Sequence, residues 1–104
     1  MDARPVLLRE VPREDRPRER LMLDGAEALS DAELLAILIR TGTRNESAVH
    51  LANRILRECG GLRQLVDMSI SEMTRIRGIG PAKAVQLRAG IELGRRLARR
   101  AVSD

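Results

Sequence analysis

Ile76-Arg77-Gly78-Ile79-Gly80-Pro81-Ala82-Lys83 organises the reading of this 104-residue chain. An apolar residue, a Gly-Ile-Gly turn, a proline and a long following helix form a compact device for aiming helix-end amides. Gly78 and Gly80 permit positive φ and close approach of the backbone to a large object. Pro81 suits the first position of a helix, where its missing N–H costs nothing. The next amides, from Ala82, Lys83 and Ala84, have no intrahelical partner and lie at the positive end of the helix dipole. Such an end receives anions, phosphate above all. Lys83, the only lysine of the chain, stands at this helix start.

The glycine turn is also where the charge changes. Residues 74–104 hold eight basic side chains against Glu92 and Asp104, a net charge of +6. Residues 1–73 hold eleven basic and thirteen acidic, a net of −2. A clustered basic face points to a polyanionic partner; the alternative is an Arg-rich solvated helix. The chain has no Phe, Tyr or Trp. That disfavours modules that grip single strands by stacking bases on aromatic rings. With 43% apolar residues, a modest core of Leu, Ile, Val, Ala and Met is expected, in a single domain.

Working outward, the pattern is helical throughout. Residues 1–16, interrupted by Pro5 and Pro12, read as a flexible N-terminal arm. Pro17 opens a short helix to about Asp24, stopped by Gly25. Ser30-Asp31-Ala32-Glu33 is a capping box. The helix behind it, to about Arg40, is apolar almost all round and should be the central buried helix, ended by Gly42. After the polar loop Thr41–Asn45, a helix spans about Glu46 to Glu58, broken by Gly60-Gly61. A short helix from Leu62 to about Val66 follows. Ser69-Ile70-Ser71-Glu72 is a second capping box and opens a helix through Ile76. The last helix, Pro81 to about Arg100, carries Ala84, Leu87, Ile91, Gly94 and Ala98 on one side and Arg88, Glu92, Arg95, Arg96 and Arg99 on the other. Gly90 and Gly94 lower its propensity and suggest close packing by another helix.

A short helix, a Gly-x-Gly hairpin and a second helix, from about Ser71 to Leu93, resembles the helix-hairpin-helix motif. Its apolar-x-Gly-apolar-Gly core is present as Ile76-Arg77-Gly78-Ile79-Gly80. The resemblance implies sequence-independent contact with the phosphates of double-stranded DNA. Carried over by position, the contacts are Gly78, Ile79, Gly80, Ala82 and Lys83, with Arg77 and Arg88 in support. It also implies a K+ or Na+ ion held by the backbone carbonyls of Thr74, Ile76 and Ile79, with no other cofactor. The alternative is a hairpin that serves packing only. Ile39–Ser47, with Gly42 alone, is a candidate second hairpin or simply a capped loop. The expected fold is all-α: a compact bundle of five to six short helices in a pseudo-paired arrangement, over residues 17–101.

The chain as a whole is similar to the N-terminal region of the bacterial RadC family. Three runs carry the resemblance: Pro17-Arg18-Glu19-Arg20-Leu21, Leu29-Ser30-Asp31-Ala32-Glu33-Leu34-Leu35-Ala36-Ile37-Leu38, and Gly78–Ala84 with Glu92-Leu93-Gly94-Arg95-Arg96. It implies a DNA-binding module linked to DNA repair, and an attached JAB/MPN metalloprotease-like domain as partner. This chain lacks that domain and is expected to be a fragment of the family's architecture.

No catalytic set emerges. His50 and Cys59 are nine residues apart on one expected helix, and zinc needs about four such ligands. A non-enzymatic module is therefore expected, either binding DNA or serving protein interaction or dimerisation. The latter would use the apolar side of the last helix or the Gly60-Gly61 region. One cysteine forms no internal disulfide, and no apolar run approaches a membrane span. A cytoplasmic protein without membrane contact is expected.

Overall fold

The computed structural model describes residues 16–103, in which every regular element is helical. The expected arm, residues 1–16, lies outside the described residues except for Arg16. The helices are α1 (Arg16–Asp24), α2 (Asp31–Ile39), α3 (Ala48–Cys59), α4 (Leu62–Val66), α5 (Ile70–Met73) and α6 (Pro81–Ser103), with a 3₁₀ turn at Ala26–Ala28. Among the described residues there is no strand, only an isolated bridge between Thr43 and Glu46. The all-α class stands. The chain divides into two compact units, with the division falling inside α3 between Asn53 and Arg54.

In the first unit, α1 starts around Pro17 and ends at Gly25, whose φ is 86°. Arg20 reaches across to pair with Glu33 of α2 and to donate to the Ala28 carbonyl at 3.1 Å. The start of α2 is a complete capping box. Ser30 Oγ accepts from the Glu33 N–H at 3.2 Å, and Glu33 Oε1 accepts from the Ser30 N–H at 3.0 Å. This returned bond, aided by the Arg20 guanidinium, holds the Glu33 carboxyl below the usual range although partial burial opposes it.

α2 buries one stripe, Ala32, Leu35, Ala36 and Ile39, at the i, i+3, i+4, i+7 spacing of an amphipathic helix. Leu38 is 48% exposed, so the expectation of burial all round is corrected to burial along one face. The helix also ends earlier than Gly42. Arg40 adopts φ 72°, ψ −48°, and the Thr41 N–H donates to the Ile39 carbonyl at 2.8 Å, a tight three-residue turn. Thr43 and Glu46 then exchange two backbone bonds around Arg44 and Asn45. Ser47 Oγ accepts from the His50 N–H at 3.1 Å and caps α3. Pro17, Leu29, Ala48, Leu51 and Ala52 are also buried in this unit.

The second unit buries Ile55, Leu65, Met73, Ile79, Ala84 and Leu87. Removing one of the larger of these side chains, Leu, Ile or Met, from water is worth roughly 1.5–3 kcal/mol. Gly60 and Gly61 link α3 to α4 at φ 98° and 125°, so two consecutive glycines are a backbone necessity here. α5 has a second complete capping box, Ser69 with Glu72, at 3.0 Å in both directions. It stops at Met73, three residues short of the expected Ile76, and the chain proceeds by turns. α5 packs against α6.

α6 is longer than expected, and its apolar side is buried only near its start. Ala84 and Leu87 are inside, Ile91 is half-buried, and Leu93 and Leu97 are each 70% exposed. A Cβ added at Gly90 or Gly94 would meet nothing within 4 Å. The expected close helix at these glycines is therefore not found among the described residues.

Candidate nucleic-acid interface

The expected site lies wholly in the second unit, between α5 and the first turn of α6. The Ile79 N–H donates to the Ile76 carbonyl at 3.0 Å, closing a four-residue turn. Gly78, its third residue, has φ 99°, the value a type II turn demands there and the reason for glycine. Ile79 is buried at 3% exposure and anchors the turn. Gly80 differs from the sequence expectation. Its φ is not positive, and a Cβ added there would meet nothing within 4 Å. The fold itself has no steric use for a glycine at 80.

Three backbone donors come out of this geometry. Among the described residues, the N–H groups of Gly78, Gly80 and Ala82 have no protein partner. Three other helix starts differ chemically, while α4 begins, like α6, behind a glycine, Gly61, with no side-chain cap. α2, α3 and α5 begin behind Ser30, Ser47 and Ser69, whose hydroxyls accept from first-turn amides. α6 begins behind Gly80, which has no side chain to offer. The Gly80 carbonyl accepts from the Ala84 N–H at 3.0 Å, the first bond of the helix.

Not every expected residue is brought to this place. The Ile79 N–H is occupied inside the turn, so Ile79 contributes burial rather than a donor. Arg88 is directed elsewhere: its Nη1 donates to the carbonyls of Val66 and Met68 at 2.9 and 2.7 Å. It ties the end of α4 and the link to α5 onto α6. Arg95 does similar work, donating to the Val66 carbonyl at 3.3 Å and pairing with Asp67 at 2.7 Å. Arg77 is exposed on the turn, and Arg75, not singled out from sequence, is exposed beside it. Lys83 is half-buried in the first turn of α6. Of the carbonyls considered for a monovalent cation, that of Ile76 already accepts the turn-closing bond, with a second lone pair remaining.

Sequence reasoning missed Arg54. It is 7% exposed. Its Nη2 donates to the Arg77 carbonyl at 2.6 Å and its Nη1 to Glu58 Oε2 at 3.0 Å. The signal was present: Arg54 stands three residues after Leu51 and one before Ile55, on the apolar stripe of α3.

The candidate second hairpin, Ile39–Ser47, is built differently. A Cβ on Gly42 would lie 1.9 Å from the Glu46 carbonyl oxygen. Glycine there makes room for the chain's own backbone. In the same unit, an open hollow of about 480 Å³ is lined by Arg16, Arg20, Glu33, His50 and Asn53. Arg20 and Glu33 pair with each other, and the Asn53 side-chain amide donates to the Val49 carbonyl at 3.1 Å. Cys59 lies at the other end of α3 from His50, with its Sγ 3.3 Å from the Gly61 carbonyl. Among the described residues no three His, Cys, Asp or Glu side chains gather as a metal site. None of their helices is long and apolar enough to cross a membrane.

Comparison with known proteins places the chain. Residues 8–85 match the family model described as UPF0758 N-terminal. The UPF0758 protein GK2618 of Geobacillus kaustophilus is 56% identical over 98 residues, 94% of this chain and 43% of that protein. A UPF0758 protein of Moorella thermoacetica is 55% identical over 93 residues, 89% of this chain and 41% of the relative. UPF0758 protein BH3032 of Halalkalibacterium halodurans is 52% identical over 92 residues, 88% of this chain and 40% of the relative. The chain spans less than half the length of these curated relatives. No solved structure matches. With three quarters of its length under the family model and relatives above 50% identity, the chain belongs to the UPF0758 family, the RadC-like family its motifs resemble, and corresponds to its N-terminal part.

Proposed function

We propose that this chain is a sequence-independent module for double-stranded DNA, a helix-hairpin-helix that holds backbone phosphate at the Gly78–Lys83 hairpin. The observation that carries the reading is the group of three main-chain N–H donors, on Gly78, Gly80 and Ala82, without partners among the described residues. They sit at the positive end of a 23-residue helix. Gly80 leaves open space where any other residue would place a Cβ, and a phosphate oxygen needs that space to reach the amides. Arg75 and Arg77 flank the turn with positive charge. A K+ or Na+ ion on the carbonyls of Thr74, Ile76 and Ile79 would add positive charge behind the same turn.

The affinity expected of three or four phosphate contacts is modest, with Kd roughly 10⁻⁴ to 10⁻⁶ M and steep salt dependence. Such a module suits the delivery of an attached domain, the JAB/MPN domain of the longer family architecture, to DNA, with a role in repair or recombination. The test is an NMR titration of the labelled chain with a short mixed-sequence duplex at low and moderate salt. Shifts centred on Gly78, Gly80, Ala82 and Lys83 that recover as salt rises support the reading. Unmoved hairpin amides in a folded protein overturn it.

A second reading draws on a different observation. Leu93 and Leu97 are exposed on α6, beside the open Gly90 and Gly94. That face suits a protein-interaction or dimerisation surface, whose binding would be apolar and salt-tolerant where the hairpin's is ionic.

A further inference from the structure

The buried Arg54 and the turn it touches carry an inference that rests on the phosphate-binding reading and deepens it. The Arg77 carbonyl, 2.6 Å from Arg54 Nη2, belongs to the same peptide group as the Gly78 N–H. All peptide bonds of the described chain are trans. In a planar trans peptide the carbonyl and the N–H point in opposite directions. Drawing the carbonyl toward α3 therefore turns the Gly78 N–H away from α3. That N–H is one of the three without a protein partner among the described residues.

The same bond selects the kind of turn. Types I and II differ chiefly by a flip of the central peptide, here Arg77–Gly78. Gly78 at φ 99° has the type II arrangement. In type I the carbonyl would leave Arg54, and the N–H would no longer point outward. A guanidinium donor also polarises the peptide it holds, making its N–H a stronger donor at the other end. Arg54 can do this because burial, at 7% exposure, holds it in place.

We propose that Arg54 is a positioning residue: by holding the Arg77 carbonyl, it sets the Gly78 N–H outward and polarised before a phosphate arrives. Arg54 makes no contact with the phosphate. Its removal should weaken duplex binding without changing the number of ions released.

The experiment compares the 104-residue chain with its Arg54→Met and Glu58→Gln variants, using duplex titrations followed by amide shifts at several salt concentrations. Arg54→Met is expected to keep its helical circular dichroism and to shift the Gly78 amide of the free protein more than other hairpin amides. Its duplex Kd should rise about tenfold, as for loss of a charge-assisted bond. The slope of log K against log salt should stay that of the unaltered chain, since no phosphate contact is lost. Glu58→Gln, which keeps the bond to Arg77, should bind within about twofold of the unaltered chain. Unaltered Kd in a folded Arg54→Met variant overturns the proposal alone. A slope reduced by about one in that variant also overturns it, by making Arg54 a direct contact. No duplex response in the unaltered chain overturns the phosphate reading and the proposal with it.

If Arg54→Met does not fold, amide exchange in the unaltered protein tests the open Gly78 N–H that the proposal requires. The Gly78 N–H should exchange freely without DNA and become protected with it. Protection in the absence of DNA means an internal partner and overturns the proposal.

Discussion

Glycine does three separate jobs in this chain, and single substitutions tell them apart. Gly42 is steric: a Cβ there would lie 1.9 Å from a backbone oxygen. Gly42→Ala is expected to cost at least the 1–3 kcal/mol typical of overpacking, read as a lowered Tm. Gly78 is conformational: at φ 99° an alanine is strained, at a cost of about 1–2 kcal/mol. Gly80 is neither, and its role under the proposed function is to leave its neighbours' amides open. Gly80→Ser tests this with effects of opposite sign. A serine at the residue before α6 supplies a cap hydroxyl, so thermal stability should rise by a few tenths of a kcal/mol. The same hydroxyl occupies a first-turn N–H, so duplex Kd should rise severalfold. A serine variant that gains stability and loses no affinity would contradict the role given to Gly80.

Among elements, the capping boxes were the most legible part of the sequence. Ser-x-x-Glu at 30–33 and 69–72 predicts two helix starts, and both are present with reciprocal bonds. The same bonds govern acid stability. The Ser69 N–H lowers the Glu72 carboxyl pKa, as the Ser30 N–H and Arg20 lower that of Glu33. A group whose folded pKa is depressed gives stability that is fully present above its unfolded value, about 4.3 for Glu. That contribution disappears as pH falls through the lower folded value. The Tm should therefore drop as pH falls below about 4, and a Glu33→Gln, Glu72→Gln double variant should show a shallower drop by calorimetry. Helix ends without such chemistry were less legible. α2 ends at Ile39 through a positive-φ arginine that no turn signal marks, and α5 ends at Met73 because two further turn bonds replace helical ones. Arg88 and Arg54 were misread or missed for one reason. A guanidinium that caps carbonyls distant in sequence looks, in a string of letters, like any solvated arginine. The hairpin itself was legible as a turn and a helix start, but the separate roles of its two glycines needed φ values and Cβ space.

At the scale of the molecule, charge follows the division into units. Residues 54–104 hold eleven basic and five acidic side chains, against eight and ten in residues 1–53. The basic excess is not all available to a polyanion, since Arg54, Arg88, Arg95 and Arg96 hold carbonyls or carboxylates of their own unit. Arg77→Ala should lower the slope of log K against log salt by about one if the exposed turn meets phosphate. Arg88→Ala should leave that slope unchanged and lower Tm instead, by taking its donor from the Met68 carbonyl and leaving Arg95 alone on that of Val66. The hairpin groups without partners among the described residues, in contrast to these arginines, are main-chain amides. No codon change to an ordinary side chain deletes an N–H, so an alanine scan would pass over the contacts to which the proposed function gives the largest role. Only a proline, or an ester in place of the amide at Ala82 made by chemical synthesis, removes such a donor outright. Mutational tolerance along this turn is therefore no measure of its importance, and genetic screens would undercount it.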